Sequence, residues 1–253
     1  MMEYKEYKFK SVYEFADIIY KFVDNEVEFW AYDNQQVINA ITRYNKVSLL
    51  HIYIYTQLLN YYSKEYSKWN GIYEEETFFH WREIALSYGI RFRKNYDEDK
   101  YERFYDWYID NEKVFHNLFQ HITNEVFYVL FTIHPFLIKF NKIVAKLIKN
   151  KDDEREWIIP TEYLTKKGTL KRCQIPIWTQ KAVFHRDHGK CVFCGKDLTG
   201  QYSHSNSVNY DHIIPLNKYG ANDPCNLQLS CEQCNKSKLD NVKNPRYKYE
   251  PWW

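Results

Sequence analysis

Two cysteine pairs near the C-terminus, Cys191-Val-Phe-Cys194 and Cys231-Glu-Gln-Cys234, restrict this chain more than anything else in it. Each CxxC turn presents two thiolates to one side, and two such turns complete the tetrahedral four-sulfur shell of a structural zinc ion. The segment between the pairs is thereby closed into a loop on the metal. A shell of four thiolates has no open position for a substrate. Chemistry therefore falls to side chains that the zinc holds in place: Tyr210-Asp211-His212-Ile213-Ile214-Pro215, then Asn226, then Asn235 just past the second pair. Cys173 and Cys225 have no CxxC partner and read as small buried residues.

A length of 253 residues leaves room for two domains. Charge divides the chain the same way. Residues 161–253 carry 14 Lys/Arg against 8 Asp/Glu, and the remainder carries 21 against 25. A basic C-terminal module beside an acidic N-terminal one suits phosphate binding by the former and argues against nucleic acid lying along the whole surface. The opening Met1-Met2-Glu3-Tyr4-Lys5-Glu6 is not a basic stretch followed by an apolar one, which predicts a cytoplasmic protein. The apolar stretch from Val126 to Ile138 contains Thr132, His134 and Pro135 and is too short for a bilayer. No membrane partner is expected. Reduced thiols in that compartment favour metal binding over disulfides.

The first 150 residues read as an all-helical bundle. Ser11-Val-Tyr-Glu14 has the form of a capping box, and Val12, Phe15, Ile18, Ile19, Phe22 and Val23 follow at helical spacing. A second helix runs through Val37, Ile38 and Ile41, and a third starts from a Ser48 cap. Asn70-Gly71 breaks the pattern before helices over residues 75–88 and 101–109. A long stripe from Phe115 to Ile133 is interrupted at Pro135 and continues to Leu147. The tyrosines at 53, 55, 61, 62, 101, 105 and 108 could stack on bases, but at helical spacing in an acidic domain they read as core or protein interface. Helical periodicity stops in the mixed-charge run Lys149–Glu156. The domains are accordingly 1–150 helical, 151–174 linker and extended lead-in, and 175–253 the zinc-bearing module, an α+β protein overall.

From Ile175-Pro176 through Val183-Phe-His-Arg-Asp-His-Gly-Lys-Cys191, and again from Asp211-His212-Ile-Ile-Pro215 through Asn226 to Cys234-Asn235-Lys236-Ser-Lys238, the chain resembles HNH endonucleases that carry a zinc ribbon. The resemblance covers residues 175–240 and implies a ββα-metal fold. It implies that Asp211 binds a divalent cation and that His212, on the other face of the strand, deprotonates water. Asn226 would hold the loop that fixes His212. Asn235 would stand as the second cation ligand where many relatives have histidine. An amide oxygen beside one carboxylate suits Mg²⁺ or Mn²⁺ better than zinc. Lys236 and Lys238 would meet the phosphate backbone.

The expected activity is hydrolysis of DNA phosphodiester bonds to 5′-phosphate and 3′-hydroxyl ends, with double-stranded DNA favoured over RNA. The helical domain would sense a trigger or dock a partner in an antiviral defence effector, or mediate self-association. A homing or mobile-element endonuclease is the alternative, disfavoured by the acidic N-terminal half. A non-catalytic zinc-ribbon binding module is the third reading, disfavoured because Asp211 and His212 are both present.

Overall fold

The computed structural model describes residues 11–27, 34–68, 74–93, 104–150, 159–202 and 208–245. Asn70-Gly71, Tyr101 and residues 151–156 of the mixed-charge run lie outside these residues. The chain forms α1 (Val12–Asp24), α2 (Asn34–Thr42), α3 (Leu49–Lys68), α4 (Glu74–Ser87), α5 (Phe104–Asp110), α6 (Glu112–Phe131) and α7 (His134–Lys149). The C-terminal part adds α8 (Ile177–Arg186), α9 (Thr199–Tyr202), β1 (Val208–His212), β2 (Leu227–Cys231) and α10 (Glu232–Lys238). No single helix is long and apolar enough to cross a membrane. The apolar stripe is broken where proline demands it: α6 stops at Phe131, and α7 begins with Pro135 in its first turn, where a missing N–H costs nothing.

Two compact units emerge, and they are not divided at residue 150. One comprises residues 1–21 and 53–129, the other 22–52 and 130–253. The first unit is built on aromatic rings. Trp81, fully buried, packs edge-on against Tyr62 at 5.0 Å and against Phe115 and Phe119 at 5.5 Å between ring centres. Phe78 packs edge-on against Trp107, and Phe92 and Phe104 pack against it with tilted rings. Edge-to-face rings of this kind add to the burial of their area. Tyr53 and Tyr108 are buried too, so they fill the core and offer no platform for bases. The capping box expected at Ser11 does not form. Ser11 adopts a left-handed backbone (φ 60°), and its carbonyl, not its hydroxyl, accepts the Glu14 N–H. An N-cap side chain reaches its target only from extended backbone.

The second unit joins α2 and the start of α3 to α7 and everything after it. Its centre is the antiparallel pair β1–β2, in register Asp211 to Gln228 and His212 to Leu227. Helix α10 packs across both strands, and α8 lies beside β2. At the end of α8, Asp187 accepts the Leu229 N–H (2.7 Å) and Arg186 donates to the Leu227 carbonyl (2.6 Å). These bonds satisfy the strand edge that β1 does not cover.

The segment linking β1 to β2 is tied to the N-terminal part of the unit. Asn222 donates its backbone N–H to the Ile41 carbonyl (2.9 Å) at the end of α2, and Asp223 accepts the Leu49 N–H (2.8 Å) at the start of α3. Ser48 caps α3 as its type predicts, with His51 in the place of the usual glutamate: the Ser48 N–H donates to His51 Nδ1 at 3.2 Å. From α7, Asn141 donates to the Cys225 carbonyl (2.9 Å). Cys173 and Cys225 are ordinary thiols here, donating to the Thr42 carbonyl and the Ser48 hydroxyl.

Candidate active site and zinc cluster

The four paired cysteines converge. Their sulfurs all lie within 4.8 Å of one another, and Cys194 Sγ is 3.8 Å from Cys231 Sγ. A tetrahedron with Zn–S bonds of about 2.3 Å sets its sulfurs about 3.8 Å apart, so the cluster has the dimensions of a zinc shell. Local structure explains the convergence. The first pair sits in a turn closed by the Gly195 N–H on the Cys191 carbonyl (2.8 Å), with Gly195 at φ 75°. In the second pair, Cys231 ends β2 and caps α10, its sulfur accepting the Cys234 N–H. Val192, Phe193, Leu198 and Leu229 pack around the sulfurs as a small core. Burial and the neighbouring sulfurs push the Cys194 and Cys234 thiols upward, because several thiolates cannot share so small a volume without a cation.

Strand β1 delivers Asp211 and His212 to opposite sides, as strand alternation requires. Asp211 Oδ2 accepts from Gln228 Nε2 across the sheet (2.9 Å) and pairs with Lys238 Nζ (2.9 Å). Its other oxygen has no partner among the described residues. Asn235 lies one turn before Lys238 on α10, hence on the face that meets β1, and its half-buried amide bonds to no described side chain. One carboxylate oxygen and one amide oxygen are a sparse, hard donor set. It fits Mg²⁺ or Mn²⁺ only with further oxygens from water or substrate.

His212 is 3% exposed. Its Nε2 lies 3.3 Å from the Tyr44 hydroxyl, and its Nδ1 is buried without a partner among the described residues. Burial, with the nearby charges of Arg172 and Lys238, lowers the imidazole to about 3, so the ring is neutral at ordinary pH. The loop after His212 is held by Asn226. Its Oδ1 accepts the Ile214 N–H (2.8 Å), its Nδ2 donates to the Ile214 (3.0 Å) and Ala221 (2.9 Å) carbonyls, and its own carbonyl accepts the Ile213 N–H (2.7 Å). Gly220 is required by the same closure. A Cβ there would sit 1.9 Å from the Ile214 carbonyl oxygen and 2.9 Å from the Asn226 amide. Tyr219 before it takes the left-handed backbone (φ 65°) that glycine usually fills.

Lys238 corrects one expectation. It does not face a phosphate backbone: it is 1% exposed, paired with Asp211 and donating to the His212 carbonyl at 2.7 Å. A lysine folded so far inward is spent on the site's own geometry. Lys236 is exposed and pairs with Glu232. Tyr44, Arg172 and Gln228 were not legible as site residues. Tyr44 and Arg172 arrive from distant segments, and Gln228 is recognisable only once the β1–β2 register is known.

The HNH endonuclease family model matches residues 191–241. This interval takes in both cysteine pairs, β1, β2 and α10. The C-terminal part therefore carries an HNH endonuclease domain, and no family model accounts for the N-terminal part. No curated protein and no solved structure matches the chain.

Proposed function

We propose that the HNH domain is a metal-dependent endonuclease that hydrolyses DNA phosphodiester bonds, with His212 as its general base. The observation that carries this reading is the placement of a neutral imidazole with an unpartnered buried Nδ1 on the residue after Asp211, in the strand whose partner β2 leads into the second cysteine pair. A water molecule at Nδ1 would satisfy that nitrogen. In the reaction its proton passes to Nδ1, its oxygen bonds to phosphorus, and the phosphorus–O3′ bond breaks with its electron pair left on O3′, which takes a proton from solvent. The products are a 5′-phosphate and a 3′-hydroxyl.

Asp211 and Asn235 are the residues that would hold the divalent cation. When bound, the cation would neutralise charge on the phosphoryl and departing oxygens. Lys238 and Gln228 fix one Asp211 oxygen and leave the other without a partner among the described residues. Asn226 and Gly220 set the loop that follows the base. Burial first, then Arg172 and Lys238, hold the imidazole's proton affinity down, and an arriving phosphodiester brings negative charge that offsets the part due to the two cations. Lys236 remains a candidate for the phosphate backbone, at the cost of its exposed pair with Glu232. The four cysteines would hold a structural zinc ion.

The role of the assembly is proposed on architecture: a small nuclease joined to a helical unit of another kind suits an antiviral effector whose helical part senses a trigger, docks a partner or self-associates. Ends made by the enzyme should be sealed by DNA ligase without prior kinase or phosphatase treatment. Ends that need a kinase first would exclude this cleavage chemistry.

A further inference from the structure

The stretch between α2 and α3 is held against the nuclease core at both ends. On one side, the Asn222 N–H donates to the Ile41 carbonyl at 2.9 Å, and the Thr42 carbonyl accepts from the Asn222 amide and the Cys173 thiol. On the other, the Leu49 N–H donates to Asp223 at 2.8 Å, and Cys225 donates to the Ser48 hydroxyl. Asn222 and Asp223 are themselves buried. Between these two clamps, Tyr44 reaches His212 Nε2, at the end of β1, at 3.3 Å. No other described residue bonds to either ring nitrogen of His212.

That single contact decides what the ring can do. A neutral imidazole carries one N–H and one lone pair, and the nitrogen bound by a partner determines which is which. If the phenol donated to Nε2, the hydrogen would sit on Nδ1, and the ring would have no lone pair left for a water proton. If Nε2–H donates to the phenol oxygen, the lone pair sits on Nδ1, the buried nitrogen without a partner. The geometry points to Tyr44 as the positioning residue of the nuclease: its hydroxyl accepts the Nε2–H of His212 and so fixes the tautomer with the basic lone pair on Nδ1. The inference rests on the nuclease reading above and extends it, because the base's orienting partner comes from residues 43–48, far outside the interval that the HNH family model covers.

The surroundings agree. Burial raises the Tyr44 hydroxyl above the usual phenol range, so it meets His212 as a neutral group and not as a phenolate. Tyr44 is half-buried, and its own proton can go to water. A 3.3 Å contact is at the long end for N–H···O, and catalytic hydrogen bonds commonly shorten when substrate binds. Partners that orient a reactive imidazole are worth about 10- to 100-fold in activity where they have been removed from metal sites.

The test is Tyr44→Phe in the full-length, zinc-loaded protein, which keeps the ring and removes the oxygen. Plasmid cleavage should show kcat lowered by about tenfold or more with KM unchanged, and the thermal transition should stay within a degree or two of wild type. Long-range ¹H–¹⁵N correlation of His212 reads the tautomer directly: Nε2–H in the wild type, a mixture in the variant. A wild-type ring with its hydrogen on Nδ1 would overturn the assignment, as would unchanged or increased kcat in Tyr44→Phe. Absence of any cleavage by wild type would count against the nuclease reading instead, since the tautomer is measured without turnover.

Discussion

The ammonium group of Lys238 lies 2.9 Å from Asp211 Oδ2, at the end of a side chain with almost no exposed surface. The pair joins α10 to β1 through charge, and the same nitrogen donates to the His212 carbonyl. Breaking a buried pair from one side leaves the other charge stranded, at a cost of about 3–5 kcal/mol. Asp211 is partly open to solvent, so the lower end applies. Lys238→Met should destabilise the second unit by about 3 kcal/mol and lower cleavage. A lysine whose role was to hold phosphate would instead raise KM and its salt dependence, with melting unchanged. Denaturant titration and salt-dependent binding separate the two.

Asn226 is a second point of failure. Its side chain satisfies the Ile214 N–H and the carbonyls of Ile214 and Ala221, all inside the loop that follows His212. Asn226→Ala strands these groups, each worth about 1 kcal/mol or more, so a total loss of about 3 kcal/mol is expected. Gly220→Ala drives a methyl group into the Ile214 carbonyl and should cost a similar amount. Both variants should lose cleavage beyond what their residual folded fraction explains.

The acid limb of stability should depend on Asp187. Burial alone would raise this carboxyl, but the Arg186 guanidinium and the His134 bond outweigh it and hold the group at about 2, against an ordinary 3.8. A depressed carboxyl stabilises the fold above its unfolded value, and that stability disappears as pH falls from about 3.8 to about 2. The difference is about 2 kcal/mol. The advantage of wild type over Asp187→Asn should shrink by that amount between pH 4 and pH 2, measured by urea unfolding. A gap independent of pH would show that Asp187 acts only through its hydrogen bonds to Leu229 and Arg186.

Zinc dependence should follow the cysteine pairs and no other thiol. Cys191→Ser and Cys234→Ser should lose the metal and unfold the C-terminal part of the second unit, while Cys173→Ser should retain one zinc per chain. Metal analysis after dialysis, with thermal melting, checks each. Normal zinc content in Cys234→Ser would remove that residue from the shell.

The convergence of the four cysteines and the opposite facing of Asp211 and His212 were legible because they are local: short spacings in CxxC and strand alternation in β1 carry them. The helices were legible for the same reason, through apolar spacing and the stop at Pro135. What the sequence could not reveal are pairings across long separations. Nothing near Ile41 or Leu49 signals that Asn222 and Asp223 will bond there, so a boundary at residue 150 looked natural although the compact units are drawn elsewhere. The same blindness hid Tyr44, a lone tyrosine among many, and made Lys238 look like a surface lysine, since only the packing of α10 on β1 turns it inward. Residues 160–253 alone would lack Tyr44 and the partners of Asn222 and Asp223, so an isolated C-terminal fragment is not the minimal enzyme on this account.

The most direct measurement is conversion of supercoiled plasmid to nicked and linear forms by the full-length protein with Mg²⁺ or Mn²⁺, beside His212→Ala and a chelator control. Cutting should require the divalent ion and disappear in His212→Ala while that variant retains its zinc and its fold. Cutting that persists in a folded, zinc-bound His212→Ala protein would contradict the assignment of His212 as the base.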